Sequence, residues 1–410
     1  MNGFTSKAVH GAVLKKDVHG ALRFPLYDGA AFEMESSHDL ELAFAGKKAA
    51  HSYTRISNPT VEEFEQKIRL LSGASFAVAV SSGMAAISEV VLALCEPGSN
   101  IVTSPYLFGN TVSLFENTLK RWGLEVRYCD LSKPDLLDTV IDQKTRLVFL
   151  EAISNPQMEV VDIAAICNQA SGKSVPVVLD GTLTTPYLFR SKDHGVALEV
   201  ISSTKYISGG ATSVGGLIID NGNFDWGRNL NLNADALKYG SSVLAVRLRR
   251  EVHRNLGGSL SPHNAWLQSL GLETLALRIE KSCANALTTA QFLEKRHEVM
   301  KVHYPGLESS PFHAIASEQF QEKFGGLLSF ELESKVQAFR FMDSLKMIRR
   351  ATNLNDNKTL VLHPASTIFA DYTPAERARM KVGEGMIRLS VGIEEIQDII
   401  DDLQRGFDQL

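Results

Sequence analysis

The chain alternates short runs of β-branched and other apolar residues with longer segments in which apolar residues recur every three or four positions. From Phe76 onward, the short runs predict seven strands, in FAVAVSSG, NIVTSP, LEVRYCDL, TRLVFLEA, VPVVLDGT, LEVISSTK and VGGLIID. Helical patterns lie between the first five runs, for example from Met84 to Cys95 and from Val112 to Gly123. This βαβ order predicts an α/β fold with a mostly parallel sheet covered by helices.

The two ends of the chain carry other patterns. Residues 1–60 are rich in Gly, Ser, Tyr and His and have few periodic runs, so we expect an arm that packs on something other than the main fold. Residues 61–258 form the predicted large domain. Residues 259–410 form a smaller α+β domain, which begins with a long helical stretch over 261–296. Its strands are predicted in GLLSFEL, KTLVLHPAS and MIRLSVGI, before a final amphipathic helix in EEIQDIIDDLQRGF.

Composition narrows the function classes. The 410 residues carry 42 Lys and Arg against 47 Asp and Glu, and this net charge of −5 gives no basic excess for binding nucleic acid. The four cysteines are too widely spaced for a zinc site or a redox dithiol, which favours buried thiols in a reducing compartment. The sequence shows neither a leader peptide nor an apolar run long enough to span a membrane, so we expect a cytoplasmic protein without membrane contact.

Polar residues follow three of the predicted strands, where ligands bind in open α/β sheets. Ser81, Ser82 and Gly83 end one strand and open a helix, whose free N–H groups favour a phosphate, although Ser and Gly are also ordinary helix caps. Asp180 ends another apolar strand, where a carboxylate needs a partner such as a protonated pyridine nitrogen, an arginine or a turn backbone.

The third strand end carries Lys205 in VISSTKYISGG, with the hydroxyl groups of Ser202 and Thr204 beside it. A single lysine after a strand is usually solvated. A pyridoxal phosphate site requires an anion-binding helix start, an acid and a lysine, and here the three lie at three predicted strand ends. The combination therefore predicts that cofactor.

Several motifs resemble, in order along nearly the whole chain, the Cys/Met-metabolism family of pyridoxal-phosphate enzymes. They are SYTRISNPT, SSGMAA, FGNT, EAISNP, LDGTLTTP, SSTKYISGG, YPGLESSP, KTLVLHPAS and MIRLSVGIE. The family includes cystathionine γ-synthase, cystathionine lyases, methionine γ-lyase and O-acylhomoserine sulfhydrylases. The resemblance implies the aspartate-aminotransferase-like fold (fold type I), with a large cofactor domain and a smaller C-terminal domain. It also implies a homodimer with shared active sites, assembled into a tetramer.

The resemblance implies a role for each matching position. Lys205 would be the Schiff-base lysine and proton carrier, and Asp180 would keep the ring nitrogen protonated. Arg388 would fork onto the substrate α-carboxylate, a task for which lysine is poorly suited. Further residues implied in cofactor or substrate binding are Ser82, Gly83, Met84, Phe108, Asn155, Thr182, Ser202, Thr204 and Thr359. Tyr53 and Arg55 would reach the cofactor phosphate of a neighbouring subunit.

One departure from the family bears on the substrate. Phe108 stands where many members have a tyrosine that stacks on the cofactor, so stacking is kept but proton donation is lost. A carboxylate leaves without protonation whereas a thiolate is helped by an acid, which favours an O-acylhomoserine over a thioether as substrate. The stretches KTLVLHPAST and TSVGG also resemble O-acetylhomoserine sulfhydrylases. The alternative is that Tyr53 or Tyr106 supplies the missing hydroxyl.

The sequence predicts γ-replacement on an O-acylhomoserine by a sulfur donor, which gives homocysteine for methionine biosynthesis. The alternatives are a cystathionine γ-synthase and a methionine or cystathionine γ-lyase. A non-catalytic relative is disfavoured because Lys205, Asp180 and Arg388 are all present. Gly181 and Gly210 replace an asparagine and a histidine common in the family, and we expect both changes to remove side-chain donors and to open space near the cofactor.

Overall fold

The computed structural model describes residues 2–11 and 17–410. Its strands are β1 Phe76–Val80, β2 Asn100–Thr103, β3 Glu125–Tyr128, β4 Thr145–Glu151, β5 Val177–Asp180, β6 Leu198–Ile201, β7 Gly216–Asp220, β8 Lys301–His303, β9 Leu327–Glu331, β10 Arg349–Arg350, β11 Leu360–Leu362 and β12 Met386–Ser390. The longer α-helices are Phe4–His10, Ser37–Phe44, Pro59–Ser72, Gly83–Leu94, Ile163–Gly172, Asn233–Tyr239, Pro262–Glu273, Leu275–Glu294, His313–Phe320, Lys335–Ser344 and Ile396–Phe407. Short α-helices are Gly109–Ser113, Lys120–Trp122, Leu137–Val140, Thr185–Leu188, Val243–Arg247, His253–Leu256 and Pro374–Arg379. The short π-helices are Leu114–Leu119 and Leu248–Val252, and the 3₁₀ helices are Pro134–Leu136, Ser191–His194, Tyr206–Ser208, Trp226–Arg228, Gly240–Ser242 and Pro364–Ser366.

The first seven strands form one sheet in the order β1-β7-β6-β5-β4-β2-β3. Neighbours from β6 to β3 run parallel, whereas β7 runs antiparallel to both β6 and β1. β1 therefore points the same way as β6, and the carboxyl ends of β1, β4, β5 and β6 lie at one edge of the sheet. All seven predicted strands form, and the mostly parallel α/β fold is confirmed.

Except at the edge strand β3, both faces of the sheet are buried, which explains why its other strands are mostly continuous apolar runs rather than alternating ones. Along β4, Val148 and Leu150 pack into one core cluster while Leu147 and Phe149 pack into the cluster on the opposite face. Helices cover both clusters. The strand ends are thus held rigidly, and polar residues just after them are fixed at the rim of the sheet.

A second sheet has the order β10-β11-β12-β9-β8. The three strands predicted in this region form β9, β11 and β12. β8 and β10 were not predicted, because they are only three and two residues long, rich in Lys, Arg and His, and lie at the two edges of the sheet. Pairing with β9 and β11 makes them strands, and that pairing leaves no periodic pattern in the sequence.

The predicted helical stretch over 261–296 forms two helices that break at Thr274. The last helix, Ile396–Phe407, forms as predicted and buries Leu403 and Phe407. Within residues 2–11 and 17–410, no helix is long and apolar enough to cross a membrane.

The N-terminal region departs in part from the expected arm. Helix Phe4–His10 packs on its own chain, since Ala8 is buried and the Phe4 ring lies 5.0 Å from that of Tyr187. Residues further along this region, such as Leu22 and Phe44, are exposed. The predicted contact with a neighbouring subunit and the predicted domain boundaries stay predictions.

Candidate active site

Lys205 lies just after the end of β6, where it opens the turn Tyr206–Ser208. Its Nζ donates a hydrogen bond to Oδ1 of Asn353 at 2.9 Å, and Asn353 Nδ2 donates to Oδ2 of Asp356 at 3.0 Å. The amine is thus held between the main sheet and the loop that joins β10 to β11. Neither Asn353 nor Asp356 was predicted, because the polar run ATNLNDN has no spacing that distinguishes it from a surface loop.

The surroundings of Lys205 favour a neutral amine. Burial, followed by the positive charge of Arg388, lowers the pKa of Lys205 to about 8, and the carboxylate of Asp356 offsets part of this effect. A lysine is a nucleophile and a base only in its neutral form, so this environment suits an amine that forms and breaks a carbon–nitrogen bond.

Asp180 ends β5 and pairs in register with Glu151, which ends β4. Its Oδ1 accepts a hydrogen bond from the Thr182 N–H at 2.9 Å, and the Thr182 hydroxyl accepts one from the Ser202 N–H at 2.8 Å. Burial raises the pKa of Asp180, an effect that Thr182 only partly offsets. A carboxylate in this environment gains from a cation beside it, and a protonated ring nitrogen would be one.

The start of helix Gly83–Leu94 lies against the end of β6. A Cβ added at Gly83 would lie 2.7 Å from the Ser202 Cβ, and one at Gly216 would lie 2.1 Å from the Ser82 carbonyl oxygen. Ser82 caps the helix by accepting from the Ala85 N–H at 3.1 Å, while Gly83 and Met84 have first-turn N–H groups, which lack acceptors within the helix. These close approaches and the helix start form a cradle suited to a phosphate.

The hydroxyl of Thr204, a predicted phosphate ligand, already has protein partners in this structure. Its Oγ1 accepts a hydrogen bond from the Gly215 N–H at 3.0 Å and donates to the Gly215 carbonyl at 3.2 Å. The Thr204 hydroxyl therefore shapes the turn after β6, and the predicted binding of the phosphate would be its second role.

Arg388, on β12, is completely enclosed. Its guanidinium donates to the carbonyl oxygens of Thr352 and Asn353 at 3.0 and 3.1 Å and to Asn155 Oδ1 at 3.2 Å. Burial lowers its pKa to about 9, and its Nε has no hydrogen-bond partner. No carboxylate pairs with it in the part of the chain that the structure describes. A buried cation without a counter-ion is costly, so the site is suited to an incoming carboxylate.

Thr359 was predicted to help hold the substrate carboxylate, but in this structure its hydroxyl makes other hydrogen bonds. Its hydroxyl donates to Glu394 Oε2 at 2.8 Å and accepts from the Gly392 N–H at 3.0 Å. These bonds fix the loop that follows β12. In this structure Thr359 is therefore a residue of that loop's hydrogen-bond network, one residue before β11.

Phe108 precedes the short helix Gly109–Ser113, and its N–H donates to Glu151 Oε1 at 2.6 Å. Because Glu151 lies beside Asp180, this bond places Phe108 near the predicted ring-nitrogen partner. Burial and the charge of Asp180 raise the pKa of Glu151 well above its usual range. Glu151 was not predicted as a site residue, because a polar residue at the end of an apolar strand is common and does not by itself indicate a function.

Tyr53 and Arg55 contact each other at the end of the N-terminal region. The Arg55 guanidinium lies 5.5 Å from the Tyr53 ring and donates to the Arg254 carbonyl at 2.6 Å, while Tyr53 remains 44% exposed. Among the hydrogen bonds of the described residues, none joins them to Lys205 or Asp180. Their predicted role in a second subunit's site stays a prediction.

The expectation that Gly181 and Gly210 open space near the cofactor is wrong. A Cβ at Gly181 would lie 2.0 Å from Oε1 of Glu199, and one at Gly210 would lie 2.9 Å from Nδ2 of Asn357. Polar side chains from elsewhere in the fold already occupy both places. Gly210 also has a φ of +116°, which side-chain-bearing residues rarely adopt.

The chain matches, over residues 5–408, the model of the Cys/Met metabolism PLP-dependent enzyme family. It is 35% identical to the L-methionine γ-lyase of Pseudomonas putida, over 98% of this chain and 97% of that one. Among solved structures, it resembles a candidate O-acetylhomoserine (thiol)-lyase of Campylobacter jejuni that carries a pyridoxyl-lysine monophosphate, with a TM-score of 0.93, 34% identity and coverage of 99% and 100%. It also resembles the O-acetylhomoserine sulfhydrylase of Wolinella succinogenes, with a TM-score of 0.76, 47% identity and coverage of 86% and 98%. With the strand-end lysine and acid, these matches establish that the chain belongs to the Cys/Met-metabolism family of pyridoxal-phosphate-dependent enzymes.

Proposed function

We propose that the protein catalyses γ-replacement on an O-acylhomoserine, with O-acetyl-L-homoserine as the preferred substrate and a sulfur nucleophile as the second reactant. The products would be L-homocysteine and a carboxylate, in methionine biosynthesis. The observation that carries this proposal is the phenylalanine at position 108, where a proton donor to the leaving group is absent. The 47% identity to a sulfhydrylase supports it.

The tyrosines that could replace the missing hydroxyl are placed unfavourably in this chain. Lys381 Nζ lies 4.1 Å from the centre of the Tyr106 ring, so this ring already contacts an ammonium group. Tyr53 is exposed on the N-terminal region, and in the homodimer proposed below its hydroxyl would bind the cofactor phosphate of the second copy and not the leaving group. A leaving group that needs no proton suits this site, and acetate is a stable anion whereas a thiolate is a poorer leaving group.

The residues of the site divide the work of this reaction. When bound, pyridoxal phosphate supplies an electron sink conjugated to the substrate Cα. Asp180 would hold the proton of the ring nitrogen, and Arg388 would fix the substrate through its carboxylate. Lys205, once released, would take and return protons at the substrate carbons, and Asn353 would hold its amine within reach between transfers.

The lowered pKa of Lys205 predicts how fast the cofactor-free protein captures pyridoxal phosphate. A lysine with a depressed pKa is neutral above that value, so capture should accelerate about tenfold per pH unit up to a pH of about 8 and then level off. Stopped-flow growth of the yellow absorption measures this rate. A rate that keeps rising to the ordinary lysine pKa of 10.5 would show that the amine is solvated.

The relatives keep a second activity open. The chain is 35% identical to a methionine γ-lyase, and a lyase would release 2-oxobutanoate, ammonia and a thiol from methionine without a second reactant. A cystathionine γ-synthase would instead require cysteine. All three reactions use the same residues up to departure of the γ-substituent. The leaving group distinguishes the γ-lyase from the proposed activity, and the second reactant distinguishes the γ-synthase.

A panel of leaving groups tests the proposal. Purified enzyme is offered O-acetylhomoserine, O-succinylhomoserine, cystathionine and methionine, each alone, with sulfide and with cysteine, and products are identified by mass spectrometry. We expect homocysteine from an acylhomoserine only when sulfide is present. Cystathionine as the best substrate, or a requirement for cysteine as the second reactant, would contradict the proposal.

Restoring the hydroxyl should broaden the leaving groups. We expect Phe108→Tyr to raise 2-oxobutanoate release from methionine about tenfold, because a positioned acid helps a thiolate leave, and to change the O-acetylhomoserine reaction by less than about twofold. Phe339→Tyr, at a partly exposed position, is the matched control. If Phe108→Tyr and Phe339→Tyr behave alike with methionine, the substrate preference does not depend on the hydroxyl.

We also propose that Tyr53 and Arg55 complete the site of a second copy of the chain, in a homodimer that pairs into a tetramer. Both residues are exposed, and among the described residues no hydrogen bond joins them to Lys205, which supports this. Light scattering of the purified protein would contradict it by giving the mass of a single 45.0 kDa chain.

A further inference from the structure

Glu199 is a buried carboxyl group in the middle of β6, a strand that runs beside β5. Its side chain is fully enclosed. The Ser191 hydroxyl donates to its Oε2 at 2.5 Å, and Asn221 Nδ2 donates in turn to the Ser191 oxygen at 3.0 Å. Its other oxygen, Oε1, has no hydrogen-bond partner. The reaction outlined above has no use for this group.

The free oxygen of Glu199 faces Gly181, the residue directly after Asp180. A Cβ at position 181 would lie 2.0 Å from Oε1 and 2.9 Å from Cδ of Glu199. Gly181 is fixed by its N–H, which donates to the Val200 carbonyl at 2.9 Å, so the backbone has little room to yield. In this conformation the Glu199 carboxyl group therefore occupies the space that a side chain at position 181 would need.

Glu199 and Asp180 also interact through charge. Burial first, and then the charge of Asp180, raise the pKa of Glu199 to about 8, while the Ser191 hydroxyl lowers it. Interactions between charges are reciprocal, so an ionised Glu199 favours a proton at or beside Asp180 in turn. Ser191, which bonds Glu199 from the opposite side, is uncharged, and so is Asn221, which bonds Ser191 in turn. Glu199 makes no ion pair within the described ranges.

We propose that Glu199 is a positioning residue for Asp180. Its carboxyl group occupies the space that Gly181 leaves. When this group is ionised, it strengthens the hold of Asp180 on the protonated ring nitrogen. When neutral, it fills this space without adding charge. The enzyme would thereby retain the protons of the bound cofactor at alkaline pH, where a site with Asp180 alone would begin to lose them. Glu151, beside Asp180 on β4, is the other titratable group of this cluster and is common to all the variants below.

The test is a pH titration of the visible absorption of the purified holoenzyme without substrate. Glu199→Gln keeps the shape of the side chain but cannot ionise. We expect it to match the parent below pH 7 in spectrum and cofactor affinity, and to lower the pH midpoint of the spectral change by about one unit, a tenfold loss of proton affinity. Ser191→Ala should shift the midpoint in the same direction by less, because Glu199 then ionises later.

Glu63→Gln is the matched control, since Glu63 is another buried glutamate, paired with Lys67 and Ser269 in a different cluster. We expect it to lower the unfolding temperature and to leave the midpoint unchanged. Midpoints that agree for the parent, Glu199→Gln and Ser191→Ala would overturn the proposal and leave Glu199 as a packing residue. Because no sulfur donor or substrate is present, this outcome is independent of the proposed sulfhydrylase activity.

Discussion

Replacing Lys205 with alanine should abolish both turnover and the yellow absorption of the lysine-bound cofactor. The amine of Lys205 is the group held by Asn353 at the end of β6, and among the described residues no other lysine side chain makes a hydrogen bond to Asn353 or Asp356. Because the same amine binds the cofactor and moves the protons, we expect the rate to fall by about a thousandfold or more. Absorption spectra and product formation, measured on one preparation, check both losses.

Lys173→Ala is the matched control for this variant. Lys173 is exposed, pairs with Asp138 at 3.0 Å and lies on the far side of helix Ile163–Gly172 from the sheet edge that carries the site. It should retain full absorption and activity. An intact yellow band in Lys205→Ala would place the cofactor on another amine and remove Lys205 from the site.

Replacing Arg388 should separate substrate binding from cofactor binding. The guanidinium is buried, has no carboxylate partner within the described residues and is aimed by three protein oxygens. We expect Arg388→Met to lower kcat/KM about a thousandfold, because a buried charge pair with the substrate carboxylate is lost. Arg388→Lys should recover about tenfold of this loss, since an ammonium group cannot fork onto both oxygens.

The cofactor spectrum is the internal check on the Arg388 variants. Since Arg388 is proposed to contact the substrate and not the cofactor, both variants should keep the yellow band. Arg146→Met serves as control, because Arg146 is also buried but pairs with Glu96 at the other end of β4. It should lose stability and keep kcat/KM. If Arg388→Met keeps its kcat/KM, the substrate carboxylate binds elsewhere.

The fold was predictable where local patterns decide the structure. The long β-branched runs of the main sheet are buried on both faces, and each of them became a strand. The edge strands Lys301–His303 and Arg349–Arg350 could not be predicted, because they form only through pairing with β9 and β11. The break at Thr274 was also missed, since apolar periodicity continues across it.

The site was predictable where a residue with distinctive chemistry lies at the end of a predicted strand, as Lys205 and Asp180 do. Asn353 could not be predicted, because its contact with Lys205 spans 148 positions of sequence and depends on how the second sheet docks. The interpretation of Gly181 failed for a related reason. A missing side chain indicates open space only if no neighbour fills it, and Glu199 fills it from the adjacent strand.

One comparison of two rates tests the central claim most directly. The first is the rate of homocysteine formation from O-acetylhomoserine and sulfide, and the second is the rate of 2-oxobutanoate formation from methionine alone, both measured on the same enzyme preparation at the same pH. The geometry around Phe108 predicts that the first rate exceeds the second by about a hundredfold or more, because the site lacks an acid for a thiolate leaving group. A methionine rate equal to or above the acetylhomoserine rate would contradict the proposed sulfhydrylase and identify the protein as a γ-lyase.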